Sequence, residues 1–366
     1  MDTNDNGGDF LEDSIKEILL RSPMKSLLRF KCVCKNWYTL IKNPSFIREH
    51  LNFSKNNPPQ LLIYDYGAPN DLPPLTFISD NGIDSPTHEV NPQNFEGMTN
   101  LLGSINGLFF LEREINNDIL CALWNPATRE VRDLPSTVEI KFESFFSFNR
   151  FFGFGLDPLT NDYKVVYYNY KNENAAVYSC SRDSWRIFKH ENGYDNRNVE
   201  CVDTFYGSTT YLNGSYYWML KRNLDFNFGF KFLSFNFGNE VFEMIEGPPH
   251  DYAIRSCTAD LIILDDSIAI LNEVDLFVFY VWVMIQPGVW NKFATFHCFS
   301  SVMSCCDSSL ILATRRSRLI SYNVKTKKTR HLEFRHPRLS RSPILSGCGV
   351  HCYKESLVTF KRQGNG

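Results

Sequence analysis

Eleven cysteines and eight histidines are the residues of this 366-residue chain best suited to bind metal or attack a substrate. Their spacing organises them for neither. Cys32-Val-Cys34 and the adjacent pair Cys305-Cys306 lack the Cys-x-x-Cys and paired-histidine spacings of zinc sites, and no histidine flanks them. Cys32 and Cys34 read as small, semi-buried residues on a helix. His50, His88, His190, His250, His297, His331, His336 and His351 are scattered, and none falls in a His-Glu-x-x-His helix. No Gly-x-Ser-x-Gly elbow and no P-loop is present. Gly153-Phe-Gly155 lacks the third glycine of a dinucleotide fingerprint, because Pro158 stands there. It reads as two strand glycines at a close backbone approach. Asp13, Glu17, Asp157, Asp265 and Asp266 would serve as acid–base pairs only if the fold set two across a cleft, and turn roles suit them better. No catalytic residue, no metal and no cofactor is expected.

The charge is uneven. Net charge is −3, so the chain as a whole is not built to bind a polyanion. Yet residues 14–50 hold eight Lys/Arg against two acidic residues, and residues 315–341 hold ten against Glu333 alone. The N-terminus, MDTNDNGGDF, is acidic and polar, unlike a secretory signal. The longest apolar run, LFVFYVWVMI (276–285), is too short to span a bilayer. The expectation is a cytoplasmic or nuclear protein with reduced thiols and neither membrane nor nucleic acid as partner.

Two kinds of element would position these residues. The first fifty residues carry helical signals. Ser14-Ile-Lys-Glu17 has the spacing of a capping box. Ser22-Pro23 reads as an N-cap followed by proline in the first helical position, and Asn43-Pro44 repeats that signal. Val33, Trp37 and Ile41 recur as one helical stripe. Three or four such short helices cannot bury so many Leu, Phe and Trp among themselves, so a partner or the rest of the chain must cover them.

From about residue 58 the pattern is of short aromatic and β-branched runs between polar turns. One unit is a turn followed by an apolar strand: INGLFFLE (105–112), LNGSYYWM (212–219), DDSIAILN (265–272), DSSLILAT (307–314) and KESLVTFK (354–361). A second unit follows in each repeat, anchored at Trp124, Tyr178, Phe235, Trp282 and Tyr322. These anchors lie 54, 57, 47 and 40 residues apart. That spacing suits four-stranded propeller blades. The strand-like PPQLLIYDYG and LPPLTFISD precede the first full blade, so the two chain ends are expected to share the last one. The fold class is therefore a small all-α unit of three to four helices followed by an all-β domain, a β-propeller of about six blades, with a sandwich or open sheet stack as the alternative. On this scheme RRSRLISYNVKTKKTRHLEFRHPRLSR (315–341) is a solvated blade face, with a partner-binding face as the other reading.

Residues 10–51 resemble an F-box, FLEDSIKEILLRSPMKSLLRFKCVCKNWYTLIKNPSFIREHL, through Glu12, Asp13, Pro23, Lys25, Ser26, Val33, Cys34, Lys35, Trp37 and the Leu-Leu-Arg-Phe run at 27–30. Phe10-Leu11 stands where the family has Leu-Pro, and Ser14 and Ser22 stand where apolar residues are common. LWNPATREVRDLP (123–135), GFGLDPLTNDYKVV (153–166), VYSCSRDSWR (177–186), FLSFNFGNEVFEMI (232–245) and ISYNVKTKKT (320–329) resemble the F-box-associated domain of plant F-box proteins. Their order is most similar to the S-locus F-box group and its relatives. The implied layout is a disordered tail at 1–9, an F-box at 10–52, a connector with the first strands at 53–98, and the associated domain at 99–362.

The resemblance implies a non-catalytic substrate receptor of a Skp–cullin–F-box ubiquitin ligase. A Skp-type adaptor, and cullin through it, would dock on Phe10, Leu11, Ile15, Ile18, Leu19, Leu20, Pro23, Leu27, Leu28, Arg29, Phe30, Val33 and Trp37. The other partner would be a target protein, a pistil ribonuclease if the S-locus likeness extends to function. Loops 66–98, 136–150 and 190–204 are expected to meet it. The competing readings are a non-ligase scaffold with a degenerate F-box and an enzyme in the propeller channel.

Overall fold

The computed structural model describes residues 6–54, 57–65, 75–79, 99–115, 118–136, 150–190, 199–201, 209–224, 227–249, 259–275, 278–298, 300–306, 308–314, 316–335 and 348–360. Four helices open the chain: α1 (Asn6–Leu20), α2 (Met24–Phe30), α3 (Lys35–Lys42) and α4 (Pro44–Ser54). Several local expectations change. Helix already runs from Asn6, so Asn6–Asp9 leave the expected disordered tail and Ser14 lies inside α1 rather than capping it. Glu17 instead pairs with Arg21 one turn on, at 2.6 Å. The Ser22 hydroxyl donates back to the Ile18 carbonyl at 2.9 Å, which ends α1, and Pro23 takes the position before α2. Asn43-Pro44 behaves as read: the Asn43 side chain accepts the Ser45 N–H at 2.8 Å and Pro44 opens α4. Val33 precedes α3, so only Trp37 and Ile41 of that stripe are helical. Cys32 and Cys34 are exposed and lie in the α2–α3 turn, not semi-buried on a helix.

Beyond α4 the regular elements among the described residues are strands. β1 (Gln60–Asp65) and β2 (Leu75–Ser79) come first, then five antiparallel sheets in succession. These are β3 (Thr99–Ile105), β4 (Leu108–Ile115), β5 (Asp118–Asn125) and β6 (Glu130–Asp133); β7 (Arg150–Leu156), β8 (Tyr163–Asn169), β9 (Asn174–Ser179) and β10 (Ser184–Lys189). The third adds β11 (Val199–Cys201) to β12 (Thr209–Leu212), β13 (Ser215–Leu224), β14 (Asn227–Asn236) and β15 (Val241–Glu246). The last two are β16 (Ala259–Leu264), β17 (Ser267–Asp275), β18 (Val278–Gln286) and β19 (Val289–His297); β20 (Ser301–Cys306), β21 (Ser309–Ala313), β22 (Arg318–Asn323) and β23 (Thr329–Arg335). β24 (Cys348–Tyr353) then pairs with β1, which pairs with β2. The molecule is a six-bladed propeller whose last blade is built from both chain ends.

The repeats fall where the periodicity puts them. Trp124, Tyr178, Phe235, Trp282 and Tyr322 all lie on the third strand of their blades. After three of them the same turn follows, in which Asn125, Asn236 and Asn323 accept the backbone N–H two residues on, at 2.9, 2.9 and 3.1 Å. The turns between first and second strands, Asn106-Gly107 and Asn213-Gly214, hold positive φ at both positions, which asparagine and glycine tolerate. Each of the six blade seams is filled by its own apolar cluster. Gly153 and Gly155 are close-approach glycines, but the approaching groups are rings: Tyr216 and Trp218 lie on the first and Phe237 on the second. At neighbouring seams Glu112 pairs with buried Arg150, and Lys164 joins Asp157 at 2.8 Å to Glu240 at 2.7 Å.

KESLVTFK departs from the repeat. Its residues 354–360 form no strand, and the closing strand is Cys348–Tyr353 instead. Side chains of blade one take the place of a ladder. Asn125 Nδ2 donates to the Ser356 and Val358 carbonyls at 3.0 and 2.7 Å, and Arg132 to the Phe360 carbonyl at 3.1 Å.

A disulfide joins Cys306 of β20 to Cys352 of β24, whose Cα atoms are 5.8 Å apart. This corrects the expectation that all the cysteines are reduced. Ring closure brings the two together within bridging range, which linear spacing cannot show. Cross-linking residues 46 apart is worth about 4 kcal/mol by the chain-entropy relation. Wild-type protein in excess reductant should therefore melt about 5–10 °C lower, and Cys352→Ser without reductant should match it. A melting temperature that reductant leaves unchanged would contradict the staple.

Candidate protein-docking interface

The helical unit has its own core of Leu19, Met24, Leu27, Ile41 and Phe46, and Leu357 from the strap, the strandless segment 354–360, is part of it at 2% exposure. Ala127, in the turn after β5, packs on the same cluster. The helices are thus seated on the propeller face that carries the first-to-second and third-to-fourth strand turns. Half-buried Lys31 faces Glu130 of β6; desolvation lowers its pKa and Glu130 partly opposes that. Across the helices Lys16 meets Glu49 at 2.8 Å. His50, 5% exposed, is held low by burial while its ring donates to the Ser22 backbone carbonyl.

The expected docking residues divide by burial. Leu19 and Leu27, at 1% and 0% exposure, lie in the core of the helical unit, one on α1 and one on α2. Ile15, Leu20, Leu28, Phe30 and Trp37 are half-buried at its margin, with the Phe30 and Trp37 rings edge-to-face at 5.3 Å. Pro23 and Arg29 are exposed, and Ile18 and Val33 stand 66% and 60% exposed. Phe10 and Leu11 belong to α1, and their side chains lie outside the described residues. Sequence reasoning missed Tyr38 and Phe53, at 46% and 42% exposure, and missed Leu357 altogether. The propeller covers one side of the helices and leaves this apolar set open.

The opposite propeller face is bounded by strand ends such as Asp65 and Leu75, or Asp133 and Arg150. Most of loops 66–98, 136–150 and 190–204 lies outside the described residues; β2, β11 and the end positions 136, 150 and 190 are the parts that do not. Between the inner strands is a cavity of about 240 Å³, lined by Asp260, His351, Ser104 and Ser304 among others. Burial drops His351 to about 4, and burial with the Glu273 charge raises Asp260 to about 7. His351 lies against Tyr64, ring centroids 5.3 Å apart.

An apolar helical face mounted on a closed propeller matches two known domains in this order. The F-box domain matches residues 10–49, and the F-box associated beta propeller domain matches residues 85–359. The chain belongs to the F-box associated β-propeller family. It is 26% identical over 356 residues to F-box protein CPR1 of Arabidopsis thaliana, covering 86% of this chain and 82% of that one. It is 26% identical over 244 residues to Protein SUPPRESSOR OF NIM1 1 of Arabidopsis thaliana, covering 62% and 60%. Among solved structures, a protein from Lactobacillus plantarum is similar with a TM-score of 0.43 at 10% identity, covering 81% of this chain and all of that one. At that score the likeness adds nothing to the strand pairing.

Two predictions follow from the geometry. Leu357→Ala removes the strap's plug from the F-box core and should cost about 2–5 kcal/mol of local stability. Limited proteolysis should then cut between α4 and β1 faster than in wild type, with the propeller fragment intact; an unchanged rate would contradict the seating. Both His50 and His351 have folded pKa values below the unfolded value of about 6.5. Their contribution is thus complete above about pH 6.5 and lost as pH falls toward the folded values. Thermal stability should decline between about pH 6.5 and about pH 4, less steeply in His351→Phe. Equal slopes in the two proteins would contradict the assignment.

Proposed function

We propose that this chain is the substrate-recognition subunit of a Skp–cullin–F-box ubiquitin ligase, contributing no catalytic group of its own. The observation that carries the reading is the two-sided helical unit. Leu357 and Ala127 close one side, while Ile18 and Val33 stay exposed beside half-buried Leu28, Phe30 and Trp37. An apolar helical surface with Arg29 at its edge suits an apolar groove on an acidic Skp-type adaptor. Cullin would be reached through the adaptor, and a target protein would be held by the propeller. The narrower version, a receptor for pistil ribonucleases in self-incompatibility, rests on motif order alone.

Co-purification with a Skp-type adaptor tests this. Wild type should retain adaptor and cullin, and Ile18→Glu with Val33→Glu should weaken the complex at least about tenfold without lowering the melting temperature. Both positions are exposed, so a folding defect is not expected. Failure of wild type to bind any adaptor would overturn the ligase reading, and full binding by the double variant would overturn the surface.

A further inference from the structure

Blade five carries a charge distribution that neither the fold nor the adaptor contact uses. Within residues 315–341 ten Lys/Arg accompany a single acidic residue, Glu333. The structure lays the described part of this run on β22, β23 and their connecting turns. Arg316, Arg318, Lys325, Lys327, Lys328, Arg330 and Arg335 are all exposed there. Lys325 is held by Asp265 at 2.6 Å. Arg316, Arg318, Lys327, Lys328 and Arg335 have no acidic partner within ion-pair distance among the described residues.

Two features separate this face from an ordinary solvated blade. Arg318 and Arg335 are direct cross-strand partners, a like-charge pairing that destabilises a ladder unless counter-charge is supplied. Two other outermost strands show that the fold does not require it: β15 carries Glu243 and Glu246, and β6 mixes Glu130, Arg132 and Asp133, while on β10, whose charges Arg186 and Lys189 are both basic, Arg186 is paired with Glu240. A guard against edge-to-edge aggregation needs only a charge or two of either sign.

We propose that the outer face of blade five docks an acidic, extended segment of the target polypeptide. The proposal rests on the receptor reading above and names the chemistry of what is received. β23 is the last strand of its sheet, and among the described residues no strand pairs with its outer edge, where a strand could be added. Its seven residues span roughly 23 Å, the reach of an extended heptapeptide. Acidic side chains on such a segment would lie beside Arg318 and Arg335 and relieve their mutual repulsion. A nucleic-acid strand suits the face less well, because the large aromatic side chains on which its bases would stack, Tyr322 and Phe334, are not exposed.

The test uses the full chain co-purified with a Skp-type adaptor. Its probes are a fluorescein-labelled peptide of about twelve residues alternating Glu with Thr or Val, the same peptide with Lys for Glu, and a single-stranded oligonucleotide of equal charge. The acidic peptide should bind, and its affinity should fall at least about tenfold between about 0.05 M and about 0.3 M salt. Arg318→Glu with Arg335→Glu should lose at least about tenfold in affinity, as should the turn variant Lys327→Glu with Lys328→Glu. Lys171→Glu with Lys189→Glu, on blade two, should bind as wild type. Adaptor retention should be unchanged in every variant. No peptide binding with adaptor retained, equal loss in the blade-two variant, or tighter binding of the oligonucleotide would each overturn the proposal. Loss of adaptor from wild type would overturn the receptor reading instead.

Discussion

Pairing of Cys348–Tyr353 with Gln60–Asp65 is the constraint on which the rest of the structure depends. It sets the C-terminal strand innermost in a blade whose other described strands come from the N-terminal side. Each blade buries its faces only against its neighbours, so an unclosed ring would leave the outer faces of its first and last blades without cover. The same pairing aims the next residues across the propeller face toward the helices. Ring closure and F-box placement are thereby one event, with Cys306–Cys352 as a covalent staple at the closing strand.

The strap is held by groups that a strand would not need. Asn125 is fully buried and serves twice: its Oδ1 shapes the turn after β5 while its Nδ2 holds the carbonyls of Ser356 and Val358. Gly107 has no side chain because Ser356 and the Lys354 carbonyl occupy the space where one would begin. Blade one is therefore shaped to receive the strap, and Leu357 then reaches the core of α1, α2, α3 and α4. These contacts set the position of the exposed helical residues relative to blade one.

What could be read in advance follows from how local each signal is. The blade anchors were legible because an aromatic residue, an Asx turn and a departing strand recur within about ten residues of each other. The closing of the ring by both ends was legible from the unpaired apolar runs at 60–65 and 75–79. The strap was not, since Ser356-Leu-Val-Thr-Phe360 alternates like a strand and only the distant side chains of Asn125 and Arg132 make it something else. Which leucines face a partner was also out of reach. Leu19-Leu20 and Leu27-Leu28 are doublets, and one step of helical phase decides which member is sealed and which is left at the margin. The basic run was visible at once, but the cross-strand meeting of Arg318 and Arg335 needed the register.

The central claim is that one side of the F-box is closed by the chain's own C-terminal strap while the other is left open for an adaptor. Hydrogen–deuterium exchange of the full chain, alone and with a saturating Skp-type adaptor, tests it most directly. The account predicts slow exchange in residues 348–353 and at the buried Val358 N–H, which donates to the Ser356 hydroxyl, in both states, with adaptor-induced protection confined to residues 15–38. Protection that appears in the strap or the blades instead, or rapid exchange of the closing strand in the free protein, would contradict it.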